Sequence, residues 1–421
     1  VRPTPRPPLP PLLLLTAALF AAVTTEVLPV GLLPQLAEAF AVDQARIGWW
    51  VSAYAVVVAA GAVPVTAWLA RWPRRPVLLA LLVGYALSNA AVVLAPGYGW
   101  ALAARLLGGL AHAGIFSVVV ATTVELVARE RSGRALALVN SGVTLALTAG
   151  VPLGTALGAA VGWRWAFAAT SLLLLVLAAA VPAVLPPGHR AAPADRPPSV
   201  RQALRGRPLL AVALTTTLVT LGHYTAYTYV TPIVLAAGVP GGSVSLVLFT
   251  YGLASLVGLA LTARLADRGG SAVLRCGVAL AVACLLALAL AEGAVATVAV
   301  VALWGAAFGA LPTLLQTAAL RAGGGSDAAP ALVNATFNVG IAAGAWAGGL
   351  LLGADVRAPA LAGALLAGLG LLSTLALRPA AGDLPRQRTR RRQRHGSGLD
   401  DHPHGAGAHV VDPAADGHRR R

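Results

Sequence analysis

Lysine and methionine are absent from this 421-residue chain, and only two cysteines occur. Charge is scarce as well: 11% of residues are charged, with 15 acids against 31 basic residues, all of them arginine. A soluble globular domain carries roughly 25% charged and about 45–50% apolar residues. At 57% hydrophobic and a mean hydropathy of +0.77, this chain is instead composed like a polytopic membrane protein. The arginine-only basic set, with 46 glycines, reads as coding from a GC-rich genome. Cys276 and Cys284 fall eight residues apart on one expected helix, too far along its axis for a disulfide. No histidine or carboxylate accompanies them there, so they read as inert buried thiols and not as metal ligands. The chain also lacks GxxxxGK[ST], HExxH and GxSxG, and GGGSD (323–327) reads as a turn. Neither an enzyme, nor ATP-driven transport, nor a cofactor or metal site is expected.

What is present is a succession of apolar runs. A bilayer span needs about 20 such residues. Twelve spans are expected near 12–35, 47–69, 77–95, 100–127, 135–160, 165–185, 209–236, 244–265, 273–291, 295–320, 330–352 and 359–377. The fold class is therefore all-α membrane protein, with twelve transmembrane helices in two six-helix bundles. The first run has no small-residue cleavage site and is followed by further spans, so it reads as a retained helix.

The net charge of +16 could suggest nucleic acid, but its distribution gives a topology instead. Arg46, Arg164 and Arg357 are the only arginines in the loops assigned outside, and Arg105 lies within a span. The others fall in segments assigned inside, such as Arg71, Arg74 and Arg75 or Arg129, Arg131 and Arg134. By the positive-inside rule both termini are expected in the cytoplasm, with anionic lipid a secondary partner and nucleic acid none.

The expected organisation is a cytoplasmic N-terminus (1–11), a six-helix bundle (12–185), a Pro- and Arg-rich cytoplasmic linker (186–208), a second bundle (209–377) and a basic tail (378–421). The tail carries His395, His402, His404, His409 and His418, and reads as disordered and not as a metal site. TAWLARWPRR (66–75) is echoed by ARLADRGG (263–270) about 197 residues later. Internal repeats of this kind mark secondary transporters that bind substrate between the repeats near the membrane midplane.

Glu26 stands in TTEVLPVGLLP, inside a run from Leu12 to Leu33 that is otherwise uncharged. An acid at mid-membrane costs about 2.5–3.5 kcal/mol on insertion scales. It must face a wet cavity, find a partner or hold a proton, and a carboxyl that gains and loses a proton there suits a proton-coupled carrier. The alternative is a permanently protonated acid bonded to a neighbouring helix. Pro29, Gly31 and Pro34 weaken the same helix nearby. Arg105 lies in WALAARLLGGLAHAGIFSV with His112 at i+7 on the same face. Buried, Arg105 needs an acceptor, and Glu26 is the expected one; the alternative is snorkelling to an interface. His112 reads as a cavity residue or as hydrogen-bonded packing.

In the second half, His223 of GHYTAYTYVTP follows Glu26 by 197 residues. It is expected to share in proton coupling with Glu26 and Arg105. Tyr224, Tyr227 and Tyr229 suit an amphiphilic organic substrate, or alternatively an interfacial belt. Gln316, Asn334 and Asn338 are further expected cavity residues. Gly142, Ala146, Gly150, Gly154 and Gly158 recur every four residues beside Pro152, and Gly340, Gly344 and Gly348 repeat the stripe, so two helix seams are expected. Asp267 and Arg268 can latch helix ends at the cytoplasmic face. In the first half Ala70 precedes Arg71, so a latch using Arg71, Arg74 and Arg75 needs another acid.

Together TTEVLPVGLLPQLA, WPRR, RLLGGLAHAGIFSV, GVPLGTALG, GWRWAF, HYTAYTYVTP and FNVGIAAGAWAGG resemble the major facilitator superfamily, twelve-helix drug:H+ antiporter type, over residues 10 to 378. The bacterial chloramphenicol-resistance and arabinose-type sugar efflux permeases are the branches it resembles. The resemblance implies that Gly150, Pro152, Gly154 and Gly158 take the antiporter-motif positions, that Arg105 is the fourth-helix arginine linked to proton transfer, and that Glu26 is the first-helix acid. Thr66, Ala70 and Pro73 depart from the family's cytoplasmic loop motif. The implied function is proton-driven export of small organic molecules, by a monomer in the bacterial plasma membrane. A sugar or metabolite exporter, substrate uptake by symport and a non-transporting membrane sensor are the alternatives.

Overall fold

A computed structural model describes residues 8–128, 131–187, 207–323 and 328–376, with the side chains of residues 63, 207, 263–270, 328–331 and 376 outside that description. The first half contains α1 (Leu9–Gly31), α2 (Leu33–Ala39), α3 (Gln44–Leu69), α4 (Arg74–Val93), α5 (Tyr98–Glu125), α6 (Ser132–Leu145), α7 (Val151–Val161) and α8 (Trp163–Val184). The second contains α9 (Arg207–Tyr227), α10 (Val230–Ala236), α11 (Val244–Leu290), α12 (Ala294–Ala322), α13 (Ala328–Leu352) and α14 (Ala358–Ser373). No strand occurs among the described residues. Among the described residues, eleven helical segments are long and apolar enough to cross a bilayer, and the shorter apolar α14 makes a twelfth span. The protein is a multi-pass, all-α membrane protein. The linker from 188 to 206 and the histidine-bearing tail lie outside the described residues.

Prolines decide where the spans break. A proline has no N–H, so the carbonyl four residues earlier loses its helical donor. Pro29 and Pro34 together divide the first span into α1 and α2, with Leu32 between them. Pro232 removes the donor for Thr228, and the seventh span breaks at Thr228–Tyr229, between α9 and α10. Pro152 does the same to Thr148, and the chain relaxes there into a π-turn, Ala146–Gly150, joining α6 to α7.

Two separate spans were expected over 244–291, yet helical backbone runs unbroken from Val244 to Leu290. A straight helix of 47 residues would reach about 70 Å, more than twice a bilayer core of about 30 Å. Its two parts instead lie at one level of α12: Gly309 backs onto Ser255, and Gly277 faces Leu311 and Leu314. The chain therefore turns back between Ser255 and Gly277 despite the continuous helical hydrogen bonding, and the two-span reading holds.

Within the first half, α1 packs on α6 and α8, and α4 on α5 and α8. Within the second, α9 packs on α13 and α14, and α11 on α12 and α14. The glycine stripes serve these internal contacts. Gly142 meets the Thr16 backbone, Gly150 meets Thr24, Gly154 meets Leu28 and Gly158 meets Leu32, all on the first span. Gly340, Gly344 and Gly348 sit equally close to Thr217, Leu221 and Thr225 on α9. Each stripe therefore fastens the fifth span of its half to the first span of the same half, and neither joins one half to the other.

The halves meet along two other seams, α3 with α13 and α6–α7 with α11. Thr148 donates to Gly252 O (3.1 Å) and Thr231 to Val30 O (2.7 Å). The second bond has a local cause, because Pro34 leaves Val30 O without a donor in its own helix. Tyr229 wedges between Gly48 of the first half and Gly348 and Gly349 of the second, and donates to Ala345 O (2.7 Å). These contacts run from the middle of the spans to the end opposite the start of α1. A central apolar cluster draws on both halves, from Val23, Val27 and Val30 to Tyr227, Tyr251 and Trp304.

Candidate functional site in the membrane interior

Glu26 is the only acid in the interior of a span among the described residues, and its side chain keeps 16% exposure. Arg105 does approach it, but not as expected. Its Nη1 donates to Thr25 O (2.9 Å) and its Nη2 to Glu26 O (3.0 Å), both main-chain carbonyls. No ion pair joins the two side chains. The reason is Pro29, which strips Thr25 O of its helical donor and creates an acceptor that a guanidinium fork satisfies. Arg105 is 1% exposed, with Tyr54 beneath its guanidinium (4.7 Å to the ring centre) and Phe167 at 6.0 Å, so the snorkelling alternative fails.

The basic side chain that does meet the Glu26 carboxyl is His112, with Nε2 3.6 Å from Oε2. Its ring stacks on Phe116 (4.9 Å) and meets Tyr54 and Tyr85 edge-on (5.6 and 6.2 Å). Tyr54 donates to Tyr85 (2.6 Å), and Tyr85 donates to Ala22 O (3.1 Å). Asn89 donates to Thr25 Oγ1 and Thr170 Oγ1, both at 3.2 Å. Tyr54, Tyr85, Asn89, Thr25 and Thr170 are thus parts of the site that sequence reasoning missed. The available signal was a set of polar residues on α3, α4 and α8 that would need partners within an apolar bundle.

His223 is not brought beside Glu26. It is 3% exposed and enclosed by Phe308 (stacked, 3.3 Å), Tyr224 and Trp304 (both 4.9 Å), and Tyr227 (stacked, 5.1 Å). Tyr251 stands 6.4 Å away. This is an aromatic cage in the second half, with no acid or arginine among these ring neighbours. The interfacial-belt alternative for the tyrosines fails, because Tyr227 is 3% and Tyr229 0% exposed. Tyr224 is partly buried against the central cluster that draws on both halves. Phe337 of α13 lies 6.4 Å from it.

The remaining expected residues scatter. Asn338 is buried but spends its amide on Asn334 O (2.9 Å) of its own helix, while the Asn334 and Gln316 side chains are exposed. Arg74 finds the acid missing from the loop in Glu125 at the end of α5 (3.4 Å), and Arg75 donates to Pro182 O. Both contacts stay within the first half. Arg71 is exposed, and the side chains of Asp267 and Arg268 lie outside the described residues. Cys284 is buried, but Cys276 is exposed, a correction to its reading as a buried thiol. No group of three or more metal-ligating side chains forms among the described residues.

Twelve spans in two repeated halves, meeting around a few buried ionisable groups, define a membrane carrier. The family model described as Major Facilitator Superfamily matches residues 14–329, and the chain belongs to that superfamily. It is 35% identical over 370 residues to a chloramphenicol efflux pump of Mycobacterium tuberculosis (strain ATCC 25618 / H37Rv), covering 85% of this chain and 89% of the relative. It is 36% identical over 341 residues to a chloramphenicol resistance protein of Streptomyces lividans, covering 79% and 87%. Its fold is similar to that of a bacterial homolog of the lysosomal transporter Spinster, in an inward-facing and occupied conformation (TM-score 0.70, 13% identity, 88% and 97% covered). The human organic anion transporter MFSD10 is also similar (TM-score 0.67, 20% identity, 89% and 100% covered).

Proposed function

We propose that this protein is a proton-coupled exporter of small organic drugs, with chloramphenicol-like molecules as its substrate class. The observation that carries the reading is the Glu26 carboxyl. Among the described residues it is the only acid in the interior of a span; it keeps 16% exposure and lies beside His112, on the helix whose Val23, Val27 and Val30 join the cluster shared by the halves. An intramembrane acid that is neither locked in an ion pair nor fully enclosed is suited to exchanging a proton against substrate. Relatives called chloramphenicol efflux pumps support the drug class. The uncharged rings of Tyr224 and Phe337 opposite suit the aryl part of such a molecule.

In mechanism, the halves rock about the midplane and expose the site to each face in turn. Arg105 holds the kinked backbone of α1 through Thr25 O and Glu26 O, so the carboxyl keeps its place as its charge changes. Contacts between the halves gather toward the end away from the start of α1. With both termini in the cytoplasm of a bacterial cell, as the arginine distribution supports, this is the conformation open inward. Transport by a single chain in the plasma membrane completes the reading.

The test is proton movement in proteoliposomes holding an internal pH dye. Chloramphenicol, lipophilic cations and pentoses are added in turn to wild type and to Glu26→Gln. Chloramphenicol is expected to drive proton flux in wild type and not in the variant. Equal flux in both would remove Glu26 from the mechanism, and a response to pentoses alone would move the protein to sugar export.

A further inference from the structure

We infer that His112 is the proton partner of Glu26: Glu26 Oε2 and His112 Nε2, 3.6 Å apart and so within ion-pair range, take turns in carrying one proton, and Arg105 is a fixed countercharge that takes no part in the exchange. The inference rests on the proton-coupled reading above and names the second group of the same site.

The argument is one of position and charge. A carboxylate inside a span needs a compensating positive charge or a proton. Arg105 supplies charge nearby but spends both Nη groups on the carbonyls of Thr25 and Glu26. That leaves His112, 3.6 Å from the carboxyl, as the basic side chain in direct reach. The groups around the pair are Tyr54 of α3, Tyr85 of α4 and Arg105 of α5, with Tyr224 of α9 at longer electrostatic range. Tyr54 and Tyr85 spend their hydroxyl protons on Tyr85 and on Ala22 O, so neither donates to the pair.

With Arg105 cationic throughout, the unloaded pair is a carboxylate beside a neutral imidazole. The loaded pair carries one more proton, either on Oε2 as a carboxylic acid or on Nε2 as an imidazolium facing the carboxylate. Passing it between them makes one O–H or N–H bond and breaks the other. Two places for one proton make the site easier to load than a lone acid in the same surroundings. His223 has no such partner, its ring neighbours being aromatic.

The experiment uses the full chain in proteoliposomes with chloramphenicol as probe, comparing wild type, His112→Phe and His112→Gln. Phe keeps the stack on Phe116; Gln keeps a polar side chain; neither titrates. Two rates are read: transport driven by a pH gradient, and drug-for-drug exchange without a gradient. The ratio of the first to the second is expected to fall at least tenfold in both variants, a change equal to about 1.4 kcal/mol. In pH-difference infrared spectra, imidazole bands lost in His112→Phe are expected to change together with the Glu26 carboxyl band. A packing role would lower both rates alike and leave the ratio unmoved, which overturns the proposal. So does gradient-driven transport by His112→Gln at the wild-type ratio. Wild type that ignores the gradient would overturn the proton-coupled reading itself, a different outcome from coupled wild type with equally coupled variants.

Discussion

The two halves of this protein are built alike and equipped differently. In each, a glycine stripe on the fifth span fastens it to the first span of that half, Gly150 to Thr24 in one and Gly344 to Leu221 in the other. Beside that shared seam the first half places an acid, an arginine and a histidine, held by carbonyls and a tyrosine pair. At the corresponding place the second half puts a histidine in a cage of rings, 3.3 to 6.4 Å between centres. The comparison teaches that the repeat preserves how helices approach and not what they carry there. One half carries buried ionisable groups at that place, and the other carries closely packed rings.

The most damaging way to break the comparison is Arg105→Ala. It leaves Thr25 O, already orphaned by Pro29, without a donor, and takes the second donor from Glu26 O. The loss is expected to reach about 3 kcal/mol, seen as a lower melting temperature of the detergent-purified protein, with transport abolished. Arg105→Lys should rescue little, since an ammonium cannot fork to both carbonyls. A milder break lies between the halves. Thr231→Val removes the donor to Val30 O, at a cost of about 1 kcal/mol. It should speed labelling of a cysteine placed at Ala45, beside Gly349 in the α3–α13 seam, in a background with Cys276 and Cys284 replaced. An unchanged labelling rate would mean that this bond does not hold the seam. The smallest effect is expected from Glu125→Gln. The Arg74–Glu125 pair is partly exposed and lies within one half, so stability should move by less than about 1 kcal/mol and the gradient dependence not at all.

Glu26 and Arg105 were legible in the sequence because a charge inside an apolar run has no ordinary reason to be there. Their relation was not, because a charge argument looks for a carboxylate, whereas Pro29 had created a main-chain acceptor in Thr25 O. The same rule, applied to Pro34, would have marked Val30 O as needing a partner, though not that Thr231 of the other half supplies it. Tyr54, Tyr85 and Asn89 escaped notice because uncharged polar residues are common in spans, and only packing tells which of them meet. The place of His223 was legible from the repeat, but its surroundings were not, because equal position in the repeat does not fix which side chains pack there. The spans themselves were readable to within a few residues, since length and hydropathy fix them. The reversal between Ser255 and Gly277 was readable too, from the break in hydropathy between two apolar runs.

The most direct measurement is chloramphenicol-driven proton flux in proteoliposomes, with Glu26→Gln and His223→Phe compared side by side. The account predicts no flux in Glu26→Gln, and in His223→Phe a changed drug concentration dependence with as many protons moved per drug as in wild type. Proton movement lost in His223→Phe and kept in Glu26→Gln would contradict the division of labour between the halves.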